Sequence, residues 1–218
     1  MNKFFDTEES MKFVSVSDSD KYILTAIQKI YLNNNRFDLD PTYSKGVFYK
    51  KFGIEEPHFK SDINPQYKDV IKADSRNLCF KSNELHSIIF DPPFLFRDRI
   101  SKNTDLMCTR FSYFNTYDEL INMYSESLLE FYRILKNKGF VIFKCQDMTD
   151  GSGSRPFYDT HVDIIKIARN IGFSLRDIVI LTKFNKIIKN SKKQGCFRKI
   201  HSYYLIFRKE KKVNFGEM

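Results

Sequence analysis

Four short apolar segments in the first half of the chain each stop on an aspartate. They are "RFDLD" ending at Asp40, "PHFKSD" at Asp62, "DVIKAD" at Asp74 and "LHSIIFD" at Asp91. The acids are spaced by 22, 12 and 17 residues. One such ending means little. Four in series predict a parallel sheet whose carboxyl edge carries the polar work, because open α/β sheets bind ligands outside the C-terminal ends of their strands.

The second half completes the alternation. Ahead of the first strand, Ser19 is placed to cap a helix with Ile23, Ile27, Ile30 and Tyr31 as its apolar stripe. Thr116 and Glu119 form a T-x-x-E capping box. The helix behind it carries Leu120, Tyr124, Leu128, Phe131 and Leu135 on one stripe and is expected to end at Gly139. "FVIFK" (140–144) reads as a strand and "THVDIIKIARNIG" as a helix stopped by Gly172. "DIVILTK" (177–183) and "SYYLIFRK" (202–209) read as two strands with no helical pattern between them, hence an antiparallel hairpin. The expectation is a seven-stranded, mostly parallel α/β sheet with one reversed strand and helices on both faces. Residues 1–18 read as a loose arm and 19–218 as one domain.

Composition narrows the function classes. Apolar residues make up 42% of the 218, enough for a sizeable core, and no apolar run approaches the length of a membrane span. The early acids in "MNKFFDTEESMKF" do not fit a secretory signal. Cys79, Cys108, Cys145 and Cys196 form no CxxC pair, which argues against a zinc site or a disulfide framework and fits reduced thiols in the cytoplasm. A net charge of +9 favours a polyanionic partner, chiefly nucleic acid, over plain solubility.

The stretch "SIIFDPPF" has the richest chemistry. A bare D-P-P-F string is a strand-ending turn, since Asp-Pro initiates turns and proline stops strands. Its flanks, an apolar strand before and a strand–helix alternation after, move the reading to function. An exocyclic amino group on a nucleobase is a poor nucleophile, because its lone pair is delocalised into the ring. Two acceptors for its N–H bonds free that lone pair. Asp91 offers a carboxylate and Pro92 a carbonyl, while Pro92 and Pro93 fix the backbone so that both are pre-placed. Phe94 offers a flat face on which a base can stack. A base inside a duplex would have to be flipped out to reach such a pocket.

These residues resemble the (D/N/S)PP(Y/F/W) motif of S-adenosylmethionine-dependent amino-methyltransferases that act on adenine N6 or cytosine N4. The likeness runs over residues 22–209, and is similar to the small phage and mobile-element type. It implies a Rossmann-like catalytic domain and S-adenosyl-L-methionine as cofactor. Asp40, Pro41 and Gly46 in "DLDPTYSKG" match the cofactor loop, and Asp62 matches the acid that binds the ribose hydroxyls. Asp74 matches the acid near the adenine ring. The loop keeps one glycine where the family has two or three. Either Tyr43, Ser44 and Lys45 hold the cofactor in an unusual way, or binding is weakened. No metal is expected, because methyl transfer from a sulfonium needs none.

Two basic segments are candidates for nucleic-acid contact. In the first, Arg97, Arg99, Lys102 and Arg110 interleave with Phe96, Phe111, Tyr113 and Phe114. In the second, Lys183, Lys186, Lys189, Lys192, Lys193, Arg198 and Lys199 stand between the last two strands with no acid among them. Solvated loops are the alternative for both. "CQDMTDGSGSRPFYD", with Asp147, Gly151 and Gly153, reads as a glycine-hinged lid or a plain loop. His161 and His201 have no metal-like spacing and read as structural. There is little room for a separate target-recognition domain, so specificity falls to the basic loops or to a partner subunit. The first expectation is methylation of adenine N6 in DNA. RNA, cytosine N4, guanine N2 and a methyltransferase-like binding subunit without activity stay open.

Overall fold

The computed structural model describes residues 12–96, 114–149, 157–183, 197 and 199–210. In chain order the elements are β1 (Val16–Ser17), α1 (Asp20–Tyr31), β2 (Leu39–Asp40), α2 (Val47–Phe52), β3 (Phe59–Asp62), β4 (Ile71–Lys72) and β5 (Leu85–Phe90). There follow α3 (Tyr117–Ile134), β6 (Leu135–Cys145), β7 (Met148–Thr149), β8 (Phe157–Tyr158), α4 (Thr160–Ile171), β9 (Phe173–Thr182) and β10 (His201–Lys209). Eight strands form one sheet in the order β1-β9-β10-β6-β5-β2-β3-β4, and β7 pairs with β8 in a separate antiparallel ribbon. Strand β10 is antiparallel to both β9 and β6, while the other pairings of the large sheet are parallel. This is the expected Rossmann-like α/β sheet with its reversed strand.

The sheet has eight strands rather than seven. The extra one comes from the segment read as a loose arm. Val16 and Ser17 pair with Ile180 and Leu181, and Ser15 accepts a hydrogen bond from the Ile180 N–H at 2.7 Å. Without it the outer edge of β9 would expose unpaired backbone groups.

Side-chain alternation sorts the core into two layers. Ile89, Ile142, Tyr204 and Ile206 face α1 and α2, whereas Ile88, Phe90, Val141, Phe143, Leu205 and Phe207 face α3 and α4. Helix α3 buries Leu120, Tyr124, Leu128 and Phe131 as its spacing predicts. Phe131 meets Phe90 edge-on at 4.9 Å between centroids, and burial of each such side chain contributes roughly 1.5–3 kcal/mol. Local caps form as read. Ser19 accepts from the Tyr22 N–H and Thr116 from the Glu119 N–H, while the Glu119 carboxylate reaches back to the Asn115 N–H. In α1, Leu24 joins Ile23 and Ile27 in the core, but Ile30 is exposed and lines a groove beside Phe13 and Val14.

Gly139 does not end α3. The helix stops at Ile134, Leu135 already belongs to β6, and Gly139 lies inside that strand. A Cβ there would stand 2.9 Å from the Lys136 carbonyl oxygen and 3.0 Å from that of His86. The glycine therefore permits close approach of β6 to β5, where their register shifts between Leu85 and Ser87. Gly172 does end α4, with φ 121°.

Candidate active site

The strand order reverses between β2 and β5, which pair in parallel through Leu39 and Ile88. At such a switch point the loops leaving the two strands diverge and open a crevice. A cavity of about 240 Å³ lies there. Its walls are Pro41, Thr42 and Ser44 after β2, Asp62 and Ile63 after β3, Asp74 to Arg76 after β4, and Asp91 to Pro93 after β5. Phe90, Phe114 and Met123 supply apolar floor. The four acid-ended segments thus do lie side by side, and three of their four acids reach the cavity.

The fourth acid does not. Asp40 is 3% exposed, and its carboxylate is used inside the protein. Oδ1 accepts from the Thr42 N–H at 2.9 Å and from the Thr42 hydroxyl at 3.1 Å, and Oδ2 accepts from the Tyr49 hydroxyl at 2.8 Å. Burial pushes its pKa up to about 7, against the pull of these donors. The Thr42 hydroxyl in turn accepts from the Asp91 N–H at 2.9 Å. Asp40 therefore shapes the loop and, through Thr42, braces the turn that carries Asp91.

The other loop residues divide by position. Gly46 adopts φ 64° at the start of α2, packed under the Tyr43 ring, and is not part of the cavity wall. Tyr43 is buried and stacked on Tyr49, and Lys45 is exposed, so only Ser44 of the three substitutes read from the sequence meets the cavity. Ser44 takes φ 50° without being glycine. Its N–H donates to Asp62 Oδ2 at 2.8 Å, and the Asn64 N–H donates to Oδ1 at 2.8 Å. These two bonds orient the Asp62 carboxylate and leave each oxygen further accepting capacity. Asp74 is gripped by Arg76, with Nη2–Oδ2 at 2.7 Å, and these hydrogen bonds hold its carboxyl below the usual carboxylate range.

The DPPF turn is braced from two sides. The Tyr124 hydroxyl donates to the Pro93 carbonyl at 2.6 Å, one residue beyond the Pro92 carbonyl read as an acceptor. Asp91 is half-buried. Burial raises its pKa, and the Lys144 ammonium, 3.6 Å away, opposes that rise. Phe94 is half-buried and is not among the residues lining the cavity. Phe114, on the far side of the first basic segment, is.

A second polar group stands on the same edge of the sheet. Asp147, read as part of a lid or loop, is buried. Its Oδ1 meets His161 Nδ1 at 2.7 Å, and its Oδ2 accepts from the Tyr203 hydroxyl at 3.1 Å. His161 stacks on Tyr203, and His201 Nε2 lies 3.0 Å from the Tyr203 hydroxyl. Gly151 and Gly153 lie outside the described residues, as do Arg97, Arg99, Lys102, Arg110, Lys186, Lys189, Lys192, Lys193 and Arg198.

Sequence reasoning missed Thr42, Tyr124, Lys144 and Asp20. Lys144 left a signal, since it is the one charged residue in the apolar run "FVIFK" and ends it at the same sheet edge as the four acids.

A family described as DNA methylase, of the N6/N4 type, matches residues 85–217, well over half of the chain. The chain belongs to this DNA methylase family. The match begins at β5 and so contains the DPPF turn. Comparison with curated proteins gives no match. Among solved structures, the chain is similar to 1,6-didemethyltoxoflavin-N1-methyltransferase from Burkholderia thailandensis, solved with 1,6-didemethyltoxoflavin and S-adenosylhomocysteine. The identity is 12%, with 89% of this chain and 80% of that one covered and a TM-score of 0.54. This likeness is one of fold. It is also similar to TrmN from Thermus thermophilus (15% identity, 88% and 50% covered, TM-score 0.49). A third is a Thermus thermophilus protein assigned as a DNA modification methylase and complexed with S-adenosyl-L-methionine (17% identity, 67% and 57% covered, TM-score 0.47). The methylase chain spans a little over half the length of that last protein.

Proposed function

We propose that the protein transfers a methyl group from S-adenosyl-L-methionine to an exocyclic amino group of a base in nucleic acid, with adenine N6 in DNA as the first-choice target. The observation that carries this reading is the position of Asp91 and Pro92 in the wall of the switch-point cavity, on a turn braced by Thr42 at Asp91 and by Tyr124 at Pro93. Membership of the DNA methylase family supports it.

The cavity suits the cofactor. Asp62, oriented by two backbone N–H groups, offers acceptors for ribose hydroxyls, and Ile63, Pro41 and Met123 offer apolar surface for a purine ring. Asp74, tied to Arg76, borders the same wall. The cofactor supplies an electrophilic methyl group on a sulfonium. The chain's own residues prepare the acceptor. Asp91 and the Pro92 carbonyl take the two N–H bonds of the base, so the nitrogen lone pair is released from the ring. The N–C bond forms as the S–C bond breaks, and the surplus proton leaves the nitrogen along the Asp91 hydrogen bond. A pre-placed acceptor of this kind contributes on the order of 10²–10³ in rate. Phe94 and Phe114 flank the turn and would stack the flipped base, and the two basic segments would hold phosphates, in DNA before RNA. A partner subunit would supply sequence specificity beyond what these segments read. The setting for such chemistry is the cytoplasm.

The test is methyl transfer from labelled S-adenosyl-L-methionine to DNA and RNA in parallel, with nucleoside identification by mass spectrometry. Label on adenine N6 that disappears in Asp91→Ala supports the proposal. Label on cytosine N4 or on RNA moves the substrate and keeps the chemistry. Absence of cofactor binding by calorimetry would sink the enzymatic reading and favour a binding subunit.

A further inference from the structure

A buried lysine stands behind the reacting turn and joins it to a helix outside the matched family region. Lys144 is the penultimate residue of β6 and is 4% exposed. Its Nζ lies 3.1 Å from Asp20 Oδ1, at the first turn of α1, and 3.6 Å from Asp91 Oδ2. The Tyr204 hydroxyl donates to the same Asp20 oxygen at 2.6 Å. The rings of Phe48 and Tyr204 enclose the ammonium, with centroids 4.7 and 5.2 Å away. A buried ammonium is costly unless it is paired, and an apolar residue ending an apolar strand would avoid that cost. The pairing is unequal. Asp20 is within hydrogen-bond distance, whereas Asp91 is just beyond it. Lys144 therefore attracts the Asp91 carboxylate without taking up its lone pairs, which stay available to another donor.

We propose that Lys144, anchored by Asp20, is a positioning residue that keeps the Asp91 carboxylate charged and directed to the substrate amine. The inference rests on the amino-methyltransferase reading of Asp91. Asp20 thereby becomes part of the site, although it is 71 residues upstream of Asp91. Among the described residues, the titratable groups around Asp91 are Asp20 from α1, Asp40 from β2, Tyr49 from α2, Tyr124 from α3, Lys144 from β6, Lys183 after β9 and Tyr204 from β10. Among the two carboxylates, three tyrosines and two lysines of this set, Lys144 is the cation paired with Asp91.

The test is a 13C NMR titration of the Asp91 carboxyl in the full chain, its resonance assigned with Asp91→Asn. In Lys144→Met the midpoint is expected to rise by one pH unit or more, a tenfold change in acidity, and Lys144→Arg is expected to restore most of it. In Asp20→Asn the midpoint is expected to fall, because a like charge is removed and Lys144 is released to Asp91. An unmoved midpoint in either Lys144→Met or Asp20→Asn overturns the proposal, and Asp20→Asn decides alone if Lys144→Met does not fold. The acidic limb of kcat/KM for methyl transfer should move up with the midpoint in Lys144→Met, while the cofactor Kd stays within threefold. Activity lost equally at every pH would make Lys144 a fold anchor and overturn the positioning role. A shifted midpoint in a wild-type chain that methylates neither DNA nor RNA would leave the Lys144–Asp91 coupling in place and overturn the enzymatic reading beneath it.

Discussion

The Thr42 hydroxyl accepts the Asp91 backbone N–H at 2.9 Å and donates to Asp40 at 3.1 Å. One side chain thus couples the loop after β2 to the turn after β5, across 49 residues of sequence. A side chain without a hydroxyl at this position could not make that link. Thr42→Val removes both bonds and keeps the shape. The expected result is a fall in kcat of about tenfold, equivalent to about 1.4 kcal/mol. Stability should fall by about 1 kcal/mol, and Thr42→Ser should recover most of both. Steady-state kinetics with a urea titration of each variant checks this, and an unchanged kcat in Thr42→Val would refute the coupling.

Asp40 makes stability depend on pH in a direction opposite to a surface ion pair. Its pKa is raised from 3.8 to about 7 by burial. The folded state therefore holds this proton more tightly than the unfolded state. The contribution favours folding below the unfolded pKa and is lost as pH rises through about 7. Asp40→Asn should abolish that part of the pH dependence. The stability difference between wild type and variant should shrink by the order of a few kcal/mol from pH ~4 to pH ~7. Urea titrations of both proteins across this range measure it, and parallel curves would contradict the assignment.

Gly139 tests the close approach of β5 and β6. Gly139→Ala places a methyl group 2.9 Å from one backbone oxygen and 3.0 Å from another, so backbone rather than a flexible side chain has to shift. A loss of about 1–3 kcal/mol is expected, seen as a lower urea midpoint at constant slope. A neutral substitution would show that the register shift between Leu85 and Ser87 can relax.

The basic segment between β9 and β10 is predicted to hold phosphates. Replacing Lys189, Lys192 and Lys193 together by alanine should weaken DNA binding across unrelated sequences. It should also reduce the slope of log K against log salt by roughly 0.9 for each phosphate that is no longer neutralised. Binding isotherms at several salt concentrations give the slope. An unaltered slope would place the nucleic acid elsewhere.

Local interactions were legible without the fold. Ser19 and Thr116 cap their helices because a cap needs only residues two or three positions away. The alternation of strands and helices, and the acids at strand ends, follow from side-chain period and turn chemistry, so the α/β class and the DPPF turn at the end of β5 could be read directly. The place of Asp40 could not, because whether a strand-end acid faces a cavity or the interior depends on Tyr49 and Thr42 closing around it. Nor could the strand at Val16–Ser17, whose partner Ile180 is supplied by the far edge of the sheet.

By itself, then, the sequence determined most element types and the parallel sheet with one reversed strand, and it carried the proposal for Asp91 and Pro92, since each rests on neighbours close along the chain. The tertiary structure alone decided which acids meet at the switch point between β2 and β5. It also brought Asp20 and Lys144, 124 residues apart, together behind Asp91. That is the physical limit of a linear reading. A buried charge is tolerated only where its partners converge in space, and the chain reveals those partners only when the sheet has assembled.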